Sequence, residues 1–190
     1  MKKLLKEISN CEICKDFLPL GPNPILRATV SSKILIVSQA PGQKAHLSSK
    51  DFDDPSGKRL REWLGVSEET FYNSNNIAIL PMGFCYPGKG KTGDLPPRPE
   101  CRPQWHHQVL HKLQSVELTI LVGQYAQKTY LKQNFRKNLT ETVKNYHRFL
   151  PTIFPIPHPS PTNRFWLAKN KWFESEVISV LQQRVQEVLK

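Results

Sequence analysis

The plainest chemistry in this sequence is carried by its four cysteines. Two residues separate Cys11 from Cys14, a spacing at which the chain can turn and aim both sulfurs inward. Cys85 and Cys101 flank a long segment rich in proline and glycine. A metal group held by all four would tie the two ends of that segment together and offset much of the entropy lost on ordering it. Four thiolates suit either a structural zinc ion or a 4Fe-4S cluster, and neither their number nor their spacing separates the two. The start of the chain, MKKLLKEISNCEICK, has no apolar run of signal-peptide length, and no stretch approaches the roughly 18 residues of a membrane span, so a cytoplasmic protein with no membrane partner is expected. In such a reducing compartment, storing four thiols as two disulfides is not expected.

The balance of 27 lysines and arginines against 16 aspartates and glutamates leaves a formal charge of +11. That surplus favours an acidic macromolecular partner, nucleic acid first, over a neutral metabolite. Ser56-Gly57, with Lys58, Arg59 and Arg61 beside it, lets backbone approach a phosphate, and Lys89, Lys91 and Arg98 lie in the long segment between Cys85 and Cys101. Lysines there act as point charges that confer salt-dependent affinity without reading sequence.

The elements that must position these groups can be read from apolar runs and turn residues. A short helix leads into the first cysteine pair, and Gly21-Pro22-Asn23-Pro24 forces a turn. KILIVSQ (Lys33 to Gln39) is an apolar run without alternation, as in a strand covered on both faces. Further strands are predicted at Asn76 to Phe84, interrupted by Pro81, at Glu117 to Gly123 and at Thr152 to Pro157. Helices are predicted over 58–64, 104–113, 125–131 and 139–149, and Trp172 to Lys190 reads as a closing amphipathic helix. The alternation predicts one 190-residue domain of α/β class, a three-layer α/β/α sandwich with a mostly parallel four-stranded central sheet. Ligands bind such sheets beyond the carboxyl ends of the strands, where SQAPG (38–42) and HPSPTN (158–163) fall.

SQAPGQ (38–43), DFDDPSGKRLREWLG (51–65), the two spaced cysteine pairs and PHPSPTN (157–163) follow one another as in the uracil-DNA glycosylase superfamily. The chain resembles that superfamily from Cys11 to about Trp166, and most resembles its family 4 and neighbouring iron-sulfur branches. The resemblance implies the superfamily's fold and a monofunctional hydrolase that cleaves the N-glycosidic bond of uracil or another deaminated or damaged base in DNA, for base excision repair. It implies a 4Fe-4S cluster on Cys11, Cys14, Cys85 and Cys101, with structural zinc as the alternative. Double- or single-stranded DNA is the implied partner, and a monomer is expected.

Residue by residue, the resemblance gives His158 the role of hydrogen-bond donor to the pyrimidine O2, with Asn163 closing the same loop. Gln39 is the other expected catalytic position, its backbone approaching base or water together with the small residues Ala40 and Gly42. Phe52 matches the ring on which the extruded base stacks. Pro159, Ser160 and Pro161 match the knuckle that presses on the DNA backbone, and Arg164 follows within reach of a phosphate.

Two positions depart from the family. Neither Gln39 nor Ala40 is the carboxylate found in the first motif, so water activation is expected from Asp51, Asp53, Asp54, His46, the backbone or bound solvent, or not at all. Pro81 stands where the family has an asparagine that reads uracil, which opens other bases as substrates. Loss of both groups also motivates an alternative, a catalytically inactive nucleic-acid-binding protein that keeps the fold and metal centre.

Overall fold

A computed structural model describes residues 1–190. Four short strands form its centre: β1 (Ile34–Val37), β2 (Ile77–Ile79), β3 (Leu118–Val122) and β4 (Ile153–Ile156). All pair in parallel in the order β2-β1-β3-β4, so the sheet is wholly rather than mostly parallel. Apolar residues occupy both faces of each strand because both faces are covered.

The helices are α1 (Lys2–Ser9), α2 (Gln43–Ser48), α3 (Pro55–Leu64), α4 (Glu68–Tyr72), α5 (His107–Lys112), α6 (Gly123–Leu131), α7 (Leu139–Lys144), α8 (Arg164–Lys169) and α9 (Ile178–Leu189). Strand side chains alternate between two cores. Ile34, Ile36, Ile120 and Phe154 pack with Leu60, Leu64 and Phe71 and with Leu181 and Val185 of α9. On the opposite face Leu35, Val37 and Leu121 pack with Leu4 and Ile8 of α1, Val109 of α5 and Ala126 of α6. Three layers result, as the alternation predicts.

The strand expected over Asn76 to Phe84 ends as a regular element at Ile79. Its continuation still runs beside the end of β1, through Leu80 N–H to Ile36 O (2.9 Å), Met82 N–H to Ser38 O (2.8 Å) and Gly83 N–H to Gln39 O (3.0 Å). Pro81, lacking an N–H, sits inside this run. The expected helix over 139–149 divides into α7 and a tight turn at Tyr146–Arg148. Segment 86–100 has no helix or strand, but a Lys89–Asp94 bridge and two bonds, Gly90 N–H to Gly93 O (2.7 Å) and Leu95 N–H to Gly88 O (2.8 Å), fold its middle into a flap. No helix is long and apolar enough to cross a membrane.

Candidate active site and cysteine pocket

A cleft of about 300 Å³ opens beyond the carboxyl ends of the strands. The turn after β1 supplies Ser38, Gln39, Ala40, Pro41 and Gly42, and the run after β2 supplies Pro81. Asp51, Phe52, Asp54 and Ser56 enter from the start of α3, His158, Ser160, Thr162 and Asn163 from the loop after β4, and Thr92, Gly93 and Asp94 from the flap. The volume is at the lower end of what small-molecule sites span and suits one base.

His158 is held from both sides. Gln127, fully buried on α6, donates from Nε2 to Ile156 O (2.8 Å) at the end of β4. Asn163 Nδ2 donates to His158 O (2.7 Å), which closes the loop. Gly123 turns β3 straight into α6 at φ +81°, where a side chain is strained, and its Cα faces the His158 ring. The Ser160 N–H donates to His158 Nδ1 (3.2 Å), so Nδ1 is the acceptor and the neutral ring carries its proton on Nε2. Burial lowers the His158 pKa to about 4, with the Asp54 charge acting in the opposite direction, so the ring is neutral near pH 7. A neutral donor in a shielded cleft is the form that stabilises charge developing on a departing base.

Phe52 is placed by a strained turn. Its backbone has φ +51°, and its carbonyl lies so close to Gly57 that a Cβ there would be 1.8 Å from the oxygen. The Tyr72 hydroxyl donates to Asp51 O (3.1 Å) and reaches Phe52 O at 3.4 Å, and the Phe52 ring meets Phe71 edge-on. Asp54 caps α3 by accepting from Gly57 N–H (2.8 Å). The Gly57 amide expected at a phosphate is therefore used by this cap, while Ser56 opens on the cleft.

The carboxylates expected in this loop separate. Asp51 forms a paired bond to Arg27, Nε to Oδ2 and Nη2 to Oδ1 at 3.0 Å each. Asp53 and His46 do not line the cleft. His46 is buried behind Tyr86, with Nδ1 unpartnered. Asp54 does line it, joined by Asp94, a residue sequence reasoning missed because the flap's fold has no periodic signal. Burial raises the Asp94 pKa, opposed by Lys89 and reinforced by the Asp54 charge.

Several expected DNA contacts lie around this mouth. Lys89 and Lys91 are exposed on the flap, and Arg164 is exposed with its guanidinium 4.8 Å from the Phe165 ring. Pro159 is buried and Ser160 partly so; Arg59 donates to both their carbonyls (3.3 Å each), so it braces the knuckle. Arg98 pairs with Glu100, lies over Phe17 at 4.3 Å and lines the cysteine pocket.

All four cysteines are free and line one pocket with Leu18, Pro24, Phe84 and Arg98. Both ends of segment 86–100 meet there. Burial pushes the Cys85 thiol up to about 11 and the Cys101 thiol up to about 12. Trp105 Nε1–H donates to Cys11 Sγ (3.4 Å). No group of three or more His, Cys, Asp or Glu side chains is arranged to hold a single metal ion.

His106 stands in the helical turn that follows the fourth cysteine. Its ring is 3% exposed, lies parallel to Phe84 with centroids 5.6 Å apart, and bonds Tyr130 Oη (2.8 Å) and Pro81 O (2.9 Å). Against known families, the model described as the uracil DNA glycosylase superfamily matches residues 27–182.

Proposed function

The chain belongs to the uracil DNA glycosylase superfamily, and from that premise we propose that it is a monofunctional DNA glycosylase that hydrolyses the N-glycosidic bond of a deaminated or damaged base. The observation that carries this reading is the Ser160 N–H bond to His158 Nδ1 (3.2 Å). With Nδ1 taken, Nε2–H is free to donate in a cleft whose wall is Phe52.

An extruded base stacks on Phe52 and meets His158 Nε2–H at a ring carbonyl oxygen. As the bond from C1′ breaks, its electron pair moves onto the base, and the histidine donor stabilises the growing negative charge. Water adds to the oxocarbenium-like sugar and loses a proton. Asp54, close enough to His158 to influence its protonation, is the carboxylate that takes the place of the acid absent at Gln39 and Ala40. Salt-dependent contacts from Lys89, Lys91 and Arg164 hold the DNA backbone.

For the cysteines, the chemistry of the donor set fits a 4Fe-4S cluster, which supplies a structural clamp on both ends of segment 86–100. Four thiols around one largely apolar pocket support it. A tetrahedral zinc ion on the same four thiolates is the alternative occupant.

Ala40 and Pro81 favour the second reading, a DNA-binding protein without catalysis. Release of any base by wild type, lost in His158→Ala, separates the two; unimpaired DNA binding without release from any lesion favours the second.

A further inference from the structure

The cleft runs against the charge of the protein. The chain carries +11, yet no lysine or arginine lines the cleft while Asp51, Asp54 and Asp94 do. Arg27 matches Asp51 through two bonds of 3.0 Å. The other two are not matched within the cleft. Asp54 commits Oδ1 to the Gly57 amide and turns Oδ2 toward Gly42, where a Cβ would lie 3.7 Å away. Asp94 comes from the flap and places its own Oδ2 3.6 Å from the same point. Asp94 accepts a hydrogen bond from the Tyr86 hydroxyl and feels the charge of Lys89, neither of which lines the cleft. Two carboxylates from separate segments thus converge on the SQAPG turn, while Pro81 offers no side-chain donor.

An ionised carboxylate accepts hydrogen bonds and donates none. Uracil leaves as an anion, and a carboxylate beside it opposes that charge. A base with an exocyclic amino group or a positive charge meets the same wall favourably, and the aromatic face of Phe52 attracts a cation as well. Resting on the glycosylase reading above, we propose that Asp54 and Asp94 select an extruded base that presents an amino group or positive charge toward Gly42, an N-alkylated purine in type, over uracil. In that reaction water adds to C1′, the C1′–N electron pair returns to the cationic ring, the base departs neutral, and the water's proton passes to Asp54 and then solvent.

The test compares release of 7-methylguanine and of uracil from otherwise identical oligonucleotides by wild type, Asp54→Asn and Asp94→Asn. Binding of 7-methylguanosine and uridine to the same proteins is measured just below neutral pH, where the former is a cation. Asparagine caps a helix as well as aspartate, so Asp54→Asn keeps α3. Wild type is expected to favour the 7-methylguanine member of each pair about tenfold or more, and each variant to cut that preference about tenfold. Faster release of uracil by wild type, with the ratio unmoved by either variant, would overturn the selection and leave the glycosylase reading standing. Preferential nucleoside binding without release of either base would overturn the glycosylase reading and leave the selection standing. Neither binding nor release would overturn both.

Discussion

The Nε2 of His106 lies 2.9 Å from the carbonyl oxygen of Pro81. A carbonyl only accepts, so Nε2 carries the proton and Nδ1 accepts from the Tyr130 hydroxyl. The turn after Cys101 is thereby bolted to a residue of the cleft, and Phe84, stacked on the same ring, lines the cysteine pocket. His106→Leu leaves the Pro81 carbonyl and Tyr130 hydroxyl unpaired. A loss of about 2–4 kcal/mol is expected, read as a lower urea midpoint at unchanged slope. Base release should fall too, although His106 touches no base.

His106 and His158 both have pKa values lowered to about 4, burial being the first cause for each. Between that value and the ordinary 6.5, the unfolded chain binds more protons than the folded one. Stability is therefore complete above about pH 6.5 and falls as pH drops toward 4, by up to about 1.4 kcal/mol per pH unit for each ring. Urea denaturation across this range should show the slope, and His106→Leu should remove its share.

Gly57→Ala places a Cβ 1.8 Å from the Phe52 carbonyl, a backbone atom that cannot swing aside. A destabilisation of about 3 kcal/mol is expected, with displacement of Phe52 from the cleft wall. Thermal melting and base release of the same preparation check both parts.

Much of the architecture was legible in the sequence because apolar runs such as ILIV and LTILV are buried on both faces, and such runs identify parallel strands. The short helices α2, α4 and α8 were not, since five or six residues hardly establish a period. In the site, Phe52, His158 and Asn163 fall in recognisable motifs and do line one cleft. Asp94 and His106 had no such signal. Each acts through contacts between segments far apart in the chain, and only the fold brings Asp94 to Gly42 or His106 to Pro81.

If the four cysteines hold a cluster, Cys85→Ser frees one end of segment 86–100. Protein purified without oxygen should carry about four irons per chain and broad visible absorption, both diminished in the variant. Hydrogen exchange should rise first within 86–100, while β1 and β3 stay protected. Wild-type protein with zinc and no iron would instead identify the alternative occupant.

The most direct test is base release by wild type and His158→Ala from oligonucleotides carrying single uracil, hypoxanthine or 7-methylguanine. Wild type is expected to release at least one of these, and the variant to be slower by about 100- to 1000-fold while still binding DNA. Equal rates for the two proteins, or no release from any of the three by folded wild type, would contradict a glycosylase that works through His158.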